Sequence, residues 1–164
     1  MPTAEGLPFI VMELVHGTSL SQMSKLTYRR ILDIGQQICE ALEYAHRAES
    51  ASGTPLQLVH CDVSPSNVFI SRVGEVKLGD FGVARVRVKS GVRDAVIAGK
   101  PYYLSPEATA GEVTQAVDLW ATAVVLFELL TLERPFQGNN PQEVFGSIRA
   151  ARRAGVRERR PEVT

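Results

Sequence analysis

The sequence predicts an α+β fold that is mostly helical and contains one β-hairpin. Residues 27–50 and 118–132 predict helices, because apolar or small residues recur at helical spacing in the first and fill most positions of the second. Between them, two short apolar runs flank Gly74, the pattern of a hairpin. With 164 residues, 45% hydrophobic and 22% charged, the chain is long enough for one domain with a sizeable core.

Charge and cysteine content narrow the class of protein. Lysine plus arginine and aspartate plus glutamate each total 18, so the overall charge does not point to a nucleic-acid partner. Cys39 and Cys61 lack the spacing of a metal site or a disulfide framework, which fits a reducing compartment. No apolar run approaches the ~18 residues of a membrane span, and no signal peptide opens the chain. We therefore expect a soluble, cytoplasmic chain without a membrane segment.

The remaining elements follow from local pattern. The apolar run 8–15, PFIVMELV, predicts a β-strand. The segment 50–57, with its Ser, Gly and Pro residues, predicts a loop. The second helix has almost no polar face, so we expect it in the middle of the domain. Pro141 is expected to open a further helix that ends near residue 151.

Polar side chains stand at the ends of the two hairpin strands. Asp62 and Asn67 precede the first strand, and Asp80 follows the second. A rigid hairpin would hold these three oxygen-bearing side chains around one small space. Carboxylate and amide oxygens are hard ligands suited to Mg²⁺, and a carboxylate can also accept a proton. This combination suits phosphoryl transfer, in which positioning and charge neutralisation carry most of the catalysis.

The spacing of these residues resembles the active site of protein kinases, whose pattern is H-R-D-x-x-x-x-N followed by D-F-G. This chain has His60-Cys61-Asp62, four residues, Asn67, twelve residues and then Asp80-Phe81-Gly82. D-F-G alone would be a weak signal, but the loop, the hairpin and D-F-G in this order are specific. The resemblance implies that Asp62 is the catalytic base and that Asn67 and Asp80 bind Mg²⁺. It also implies that His60 supports Phe81.

The resemblance covers about residues 8–150 and is strongest to bacterial serine/threonine kinases of the eukaryotic-like type. It implies that residues 1–17 form the last strand of the small lobe and the hinge. Residues 18–164 would form the large lobe, truncated before its final helices. The same resemblance implies ATP contacts through the gatekeeper Met12, the backbone of Glu13 and Val15, and Phe69.

Two later stretches extend the resemblance. Residues 83–100 are basic and contain glycine, as in an exposed loop; in the family this is the activation segment, and Ser90 is its only hydroxyl here. The loop closes in GKPYYLSPE, residues 99–107, which resembles the kinase stretch ending in A-P-E with Ser105 in place of Ala. The helix that starts at Asp118 matches the central helix of the large lobe, whose leading Asp braces the catalytic loop.

Three residues depart from the family pattern. Cys61 replaces the Arg of H-R-D, and Ser64 replaces the Lys two residues after the base, which neutralises the γ-phosphate in the family. Lys100 stands where many serine/threonine kinases have Thr. Because that Lys and Thr lie side by side in such kinases, we interpret the changes as an exchange in which Lys100 supplies the catalytic charge. The simpler alternative is that Lys100 points to solvent, as most lysines do.

The expected function is therefore a serine/threonine protein kinase domain that transfers the γ-phosphate of ATP to a protein hydroxyl. No Gly-rich loop, strand Lys or helix Glu of the family precedes residue 8, so we expect little transfer from these 164 residues alone. One alternative is a non-catalytic, pseudokinase-like binding module or gene remnant, since single loop Asp and Asn residues more often form turns. A small-molecule phosphotransferase is a second alternative, against which the S-P-E and D-x-W stretches argue.

Overall fold

The computed structural model describes residues 11–81, 100–151 and 155–161. The predictions that fall outside these ranges concern strand residues 8–10, Gly82 and activation-segment residues 83–99 with Ser90.

The described residues form a mostly helical domain with one small sheet, which confirms the predicted fold class. In chain order the elements are β1 (Gly17–Ser19), α1 (Tyr28–His46), β2 (Val68–Ser71), β3 (Val76–Leu78), α2 (Pro106–Thr109), α3 (Ala116–Thr131), α4 (Pro141–Arg149) and α5 (Val156–Arg159). Two 3₁₀ turns, Leu20–Gln22 and Pro101–Tyr103, complete the set. In the part of the chain that the structure describes, none of the helices combines the length and the apolar character needed to span a bilayer.

The predicted hairpin is present as β2 and β3. The three strands form an antiparallel sheet in the order β1-β2-β3, with Phe69 opposite Lys77. Gly74 sits in the connecting turn at φ 93°, a left-handed conformation that glycine adopts without steric cost. The Gly74 carbonyl accepts a hydrogen bond of 2.9 Å from the Arg30 guanidinium of α1. The tip of the hairpin is therefore attached to the longest helix.

The strand predicted over residues 8–15 is wrong for its described part. Residues 11–15 are not in a strand, and the first strand is β1, further along the chain. The side chains of Val11, Met12 and Leu14 are 84%, 64% and 75% exposed. Apolar, β-branched composition favours a strand only where a neighbouring strand pairs with it, and residues 11–15 pair with none of the described strands.

The core lies between α1, the hairpin and α3. Helix α1 begins after Thr27, whose side chain accepts a hydrogen bond from the Arg30 amide, and it ends at His46 rather than near residue 50. Gly35 of α1 faces α3 so closely that an added Cβ would lie 3.0 Å from the Leu126 methyls. The residues of this core are buried and apolar: Leu20, Ile34, Ile38, Leu42, Val63, Val68, Ile70, Ala121 and Val125. Because Val63 lies between Asp62 and Asn67, the loop that precedes the hairpin packs on the same core.

Helix α3 occupies the predicted central position, with one difference. Its buried face includes two polar residues, Asp118 and Thr122, whereas Leu119 is 54% exposed. The Thr122 hydroxyl donates a hydrogen bond of 2.8 Å to the Asp118 carbonyl, so burial leaves it satisfied. Helix α4 begins at Pro141 as predicted and packs against α3 in a second apolar cluster with Phe136.

Candidate active site

The buried carboxylate of Asp118 fixes the loop that precedes the hairpin. Its Oδ2 accepts a hydrogen bond of 2.8 Å from the amide of His60, and its Oδ1 accepts one of 2.8 Å from the amide of Cys61. His46, in the last turn of α1, donates a third through Nε2, also at 2.8 Å. One side chain of α3 thus joins α1 to the loop. The structure confirms the brace that the sequence resemblance implied.

Cys61 occupies a left-handed backbone conformation, with φ 62°. Such a conformation costs a residue with a Cβ roughly 1–2 kcal/mol, and the hydrogen bonds to Asp118 hold it in place. Burial, reinforced by the charges of Asp118 and Asp62, raises the pKa of the Cys61 thiol to about 12. The thiol is therefore neutral at physiological pH. The position that carries Arg in the kinase pattern supplies no positive charge here.

His60 connects the loop to the end of the hairpin. Its Nε2–H donates a hydrogen bond of 2.8 Å to the Gly79 carbonyl, and its Nδ1 accepts one of 3.2 Å from the Asp62 amide. The edge of the ring packs on Phe81 with 4.4 Å between centroids, so the predicted support of Phe81 is confirmed. Burial lowers the pKa of His60, although the charge of Asp118 opposes the shift. The neutral ring satisfies both hydrogen bonds.

Asp62 and Asn67 are joined directly. The Asn67 Nδ2 donates hydrogen bonds to the Asp62 carbonyl at 2.9 Å and to the Asp62 Oδ2 at 2.8 Å. Because both amide hydrogens are used in this way, the amide oxygen faces away from Asp62. That oxygen accepts one long contact, 3.4 Å, from the Ser66 hydroxyl. It retains a lone pair for a cation.

Asp80 is positioned through its neighbour Gly79. The Gly79 amide donates a hydrogen bond of 2.8 Å to the Asn67 carbonyl, which places the start of Asp80 beside Asn67. Asp80 has φ 61°, a second left-handed residue in the site, and its side chain is exposed. The described residues contain no group of three or more His, Cys, Asp and Glu side chains suited to a metal ion. Two protein oxygens, from Asn67 and Asp80, nevertheless fit Mg²⁺, which usually binds few protein ligands together with substrate phosphates.

Lys100 lies at the same carboxylate. Its Nζ is 3.1 Å from Oδ1 and 3.0 Å from Oδ2 of Asp62. The two side chains are only 21% and 16% exposed. The alternative in which Lys100 points to solvent is therefore wrong. The catalytic role expected for Lys100 stays a prediction.

Of the residues expected to contact a nucleotide, Glu13 is joined to the hairpin. Glu13 Oε1 is 2.6 Å from the Nζ of Lys77, whose pairing partner on β2 is Phe69. This hydrogen bond raises the pKa of Lys77. Met12 is 64% exposed, and Val15 is partly buried. Glu13 thus reaches the hairpin at Lys77, the residue that pairs with Phe69 in the sheet.

Sequence reasoning missed three contributors to the site. His46 gave only the signal of a histidine at the end of a helix, and its contact with Asp118 spans 72 positions. Gly79 gave no signal in the sequence, because the need for glycine there comes from the Phe69 ring that packs against it. Tyr103 donates a hydrogen bond of 2.6 Å to Glu128 of α3, and burial together with this bond raises the pKa of Tyr103.

A mostly helical domain with an acid, an amide and a second acid beside one hairpin has the layout of a protein kinase large lobe, as the sequence predicted. The family profile described as "Protein kinase domain" matches residues 4–161. The chain is 41% identical over 146 residues to a probable serine/threonine-protein kinase of Streptomyces coelicolor, covering 84% of this chain and 20% of that protein. It is 36% identical over 146 residues to the serine/threonine-protein kinase PknB of Mycobacterium tuberculosis, covering 84% and 22%.

A third relative is the tyrosine-protein kinase MasK of Myxococcus xanthus, 34% identical over 170 residues, covering 98% of this chain and 26% of that protein. The chain thus spans about a fifth to a quarter of the length of these curated relatives. The chain belongs to the protein kinase family.

The neutral state of His60 predicts a specific pH dependence of stability. Since the pKa of His60 in the folded chain lies below its ordinary value of 6.5, the unfolded chain takes up the proton first. His60 therefore stabilises the fold above about pH 6.5, and this contribution is lost as the pH falls. We expect the difference in unfolding free energy between wild type and His60→Gln to shrink from pH 7.5 to 5.5 in urea titrations.

An unchanged difference across that pH range would contradict a neutral His60. His16→Gln is the matched control, because the His16 side chain is exposed.

The junction at Gly79 predicts a steric requirement. A Cβ on Gly79 would lie 2.7 Å from the Phe69 ring, too close for an ordinary contact. Gly79→Ala should therefore lower the free energy of unfolding by about 1–3 kcal/mol, and adding Phe69→Leu should recover part of the loss. Gly146→Ala is the control, because nothing lies within 4 Å of that position on α4. Equal effects of the two glycine substitutions would contradict the packing described here.

Proposed function

We propose that this chain is the large-lobe part of a protein kinase that transfers the γ-phosphate of ATP to a serine or threonine hydroxyl of a protein substrate. One observation carries the proposal: the Asp62 carboxylate is held within hydrogen-bonding distance of both an amide and an ammonium group. Such a carboxylate is positioned to receive a hydroxyl. Residues 1–17 act as the hinge side of the site, and residues 18–164 form the large lobe.

In the proposed reaction, Asp62 hydrogen-bonds the substrate hydroxyl and accepts its proton. The hydroxyl oxygen forms a bond to the γ-phosphorus while the bond from that phosphorus to the bridging oxygen breaks. The electron pair of the broken bond leaves with ADP. Asn67 holds Asp62 in orientation through its two N–H bonds. This chemistry is mostly positioning and charge stabilisation, which matches a site built from short, fixed polar contacts.

Mg²⁺ belongs to the proposal through the oxygens of Asn67 and Asp80. When bound, the ion neutralises charge on the phosphates of ATP. The Asn67 amide is suited to this role because its nitrogen is already committed to Asp62. The hydrogen bond between Gly79 and Asn67 keeps the two ligands in register.

ATP itself would lie along the hairpin, with its base near the hinge residues and Phe69. The backbone of Glu13 and Val15 would bind the base, and Met12 would line its pocket. The ion pair between Glu13 and Lys77 supports this placement, because Lys77 pairs with Phe69 in the sheet. A cytoplasmic location is part of the proposal, since ATP is available there and both cysteines are free thiols.

The choice of serine and threonine over tyrosine is supported by two of the three relatives described above, whose names state serine/threonine-protein kinase. One relative is named as a tyrosine-protein kinase, so the preference for serine and threonine over tyrosine needs a direct test. Peptide pools that contain only serine, threonine or tyrosine as the hydroxyl residue separate the two outcomes.

The proposed base predicts the effect of a single substitution. Asp62→Asn in the complete gene product should lower kcat by about 10²–10⁴, the usual contribution of a general base. Radiolabel transfer from ATP to the peptide pools is the measurement. Asp33→Asn is the control, because Asp33 is an exposed residue of α1 and should leave kcat within about twofold.

Transfer that persists in the Asp62→Asn variant would contradict the proposal. Tight binding of ATP and Mg²⁺ without any transfer by the unaltered protein would instead favour the alternative, a non-catalytic kinase-like binding module. Cys61 and Ser64 are the residues that favour this alternative, since neither supplies the charge that the family pattern has there.

A further inference from the structure

We propose that Lys100 provides, from outside the loop of Asp62 and Asn67, the positive charge that stabilises the phosphoryl group during transfer. The proposal rests on the proposed kinase function and assigns one further catalytic residue to it. Its starting point is the contact of the Lys100 ammonium with both oxygens of Asp62, at 3.1 and 3.0 Å. Lysines are seldom held in this way, since most extend into water.

The backbone beside Lys100 is fixed by its neighbours on the C-terminal side. Pro101 is buried and opens the 3₁₀ turn Pro101–Tyr103. The Tyr103 hydroxyl is bonded to Glu128 of α3, and Ser105 caps α2 through the Ala108 amide at 3.2 Å. Lys100 therefore stands at the anchored end of its segment. Its side chain reaches Asp62 from this anchored position.

Ser64 supplies no charge to this site. It is 1% exposed, and its hydroxyl is 3.2 Å from the hydroxyl of Ser66. A buried hydroxyl engaged with a second hydroxyl provides a dipole and no net charge. Cys61, neutral because of its raised pKa, provides none either. The ammonium of Lys100 supplies at Asp62 the charge that these two positions lack.

The distances place this ammonium within reach of a transferring phosphoryl group. A hydroxyl bonded to a carboxylate lies about 2.7 Å from it, and the phosphorus it attacks lies about 3–3.5 Å further on. The phosphorus is then within about 6 Å of the Asp62 carboxylate, and the Lys100 ammonium contacts this same carboxylate. An ammonium has three N–H donors. Two are directed at Asp62, and the third is available for a phosphoryl oxygen.

The ion pair with Asp62 preorganises the Lys100 ammonium, because it fixes the position of the charge. A cation already in place stabilises developing charge without a cost of reorganisation. A purely structural ion pair between Lys100 and Asp62 would instead affect stability and leave the chemical step unchanged. The catalytic role therefore predicts a lower kcat when Lys100 is replaced, and it predicts that Lys100 lies beside the terminal phosphate. The structural role predicts neither result.

The first test measures transfer kinetics in the complete gene product. Lys100→Met should lower kcat by about 10²–10³ with little change in the KM for peptide. The double variant Lys100→Thr with Ser64→Lys should recover at least about tenfold of this loss, because it returns the charge to the loop. Lys25→Met is the control, since Lys25 is an exposed lysine remote in sequence. A kcat for Lys100→Met within threefold of wild type, roughly, would overturn the proposal.

The second test locates Lys100 without turnover. An ATP derivative acylated on its terminal phosphate reacts with a nearby lysine: the amine nitrogen bonds to the acyl carbon, the carbon–oxygen bond to phosphate breaks, and ATP and a proton leave. Mass spectrometry of the labelled protein should find acylation at Lys100 that excess ATP suppresses. In the double variant the label should move to position 64.

The outcomes separate the two proposals. Label that ATP suppresses but that is confined to other lysines overturns the role of Lys100 and leaves ATP binding intact. The absence of any label suppressed by ATP contradicts the kinase function itself, and with it the role of Lys100. Loss of transfer in Asp62→Asn together with normal transfer in Lys100→Met refutes only the role of Lys100.

Discussion

The carboxylate of Asp118 is the point on which the site depends. It is completely buried, and it accepts hydrogen bonds from His46 and from the amides of His60 and Cys61. A buried charge is costly unless it is paired and hydrogen-bonded, and these three donors meet that requirement. Through these bonds, the central helix α3 fixes the position of the loop at His60 and Cys61, which lie 58 and 57 positions before Asp118 in sequence. The geometry of the candidate site is therefore a consequence of core packing.

Short hydrogen bonds connect the loop fixed by Asp118 to the other residues of the candidate site. The Asp62 amide bonds to His60, His60 bonds to Gly79, and Gly79 bonds to Asn67. Two residues of the site, Cys61 and Asp80, have left-handed backbones that cost energy in isolation. Each is adjacent to a residue whose backbone groups are hydrogen-bonded. The two strained residues thus lie within the candidate site, where neighbouring hydrogen bonds maintain them.

Local pattern was sufficient for much of the fold. The hairpin and the three long helices followed from periodicity and turn residues, which depend on neighbours in sequence. The strand expected over 8–15 failed in its described part, because pairing depends on a distant partner that composition does not reveal. The end of α1 also differs from the prediction. The helix stops at His46, the residue that reaches Asp118, and not near residue 50.

The candidate site was predictable in its residues and less so in its contacts. The order of Asp62, Asn67 and Asp80 in sequence was enough to expect them near the hairpin. The contact of Lys100 with Asp62 spans 38 positions and was not predicted; the resemblance indicated only that Lys100 lies near position 64 and supplies a charge to the site. The steric relation of Gly79 to Phe69 depends on the pairing of two strands and on the volume of one ring. Such relations are properties of packing, which a single sequence does not specify.

The most direct test of the central role of Asp118 is amide hydrogen exchange measured residue by residue by NMR. In the wild-type chain, the amides of His60 and Cys61 should exchange slowly, because both are bonded to the buried carboxylate. In Asp118→Ala, which removes both acceptor oxygens, both amides should exchange much faster while the Ile34 amide in the middle of α1 stays protected. Rapid exchange of His60 and Cys61 in the wild type, or unchanged protection in the variant, would contradict this account.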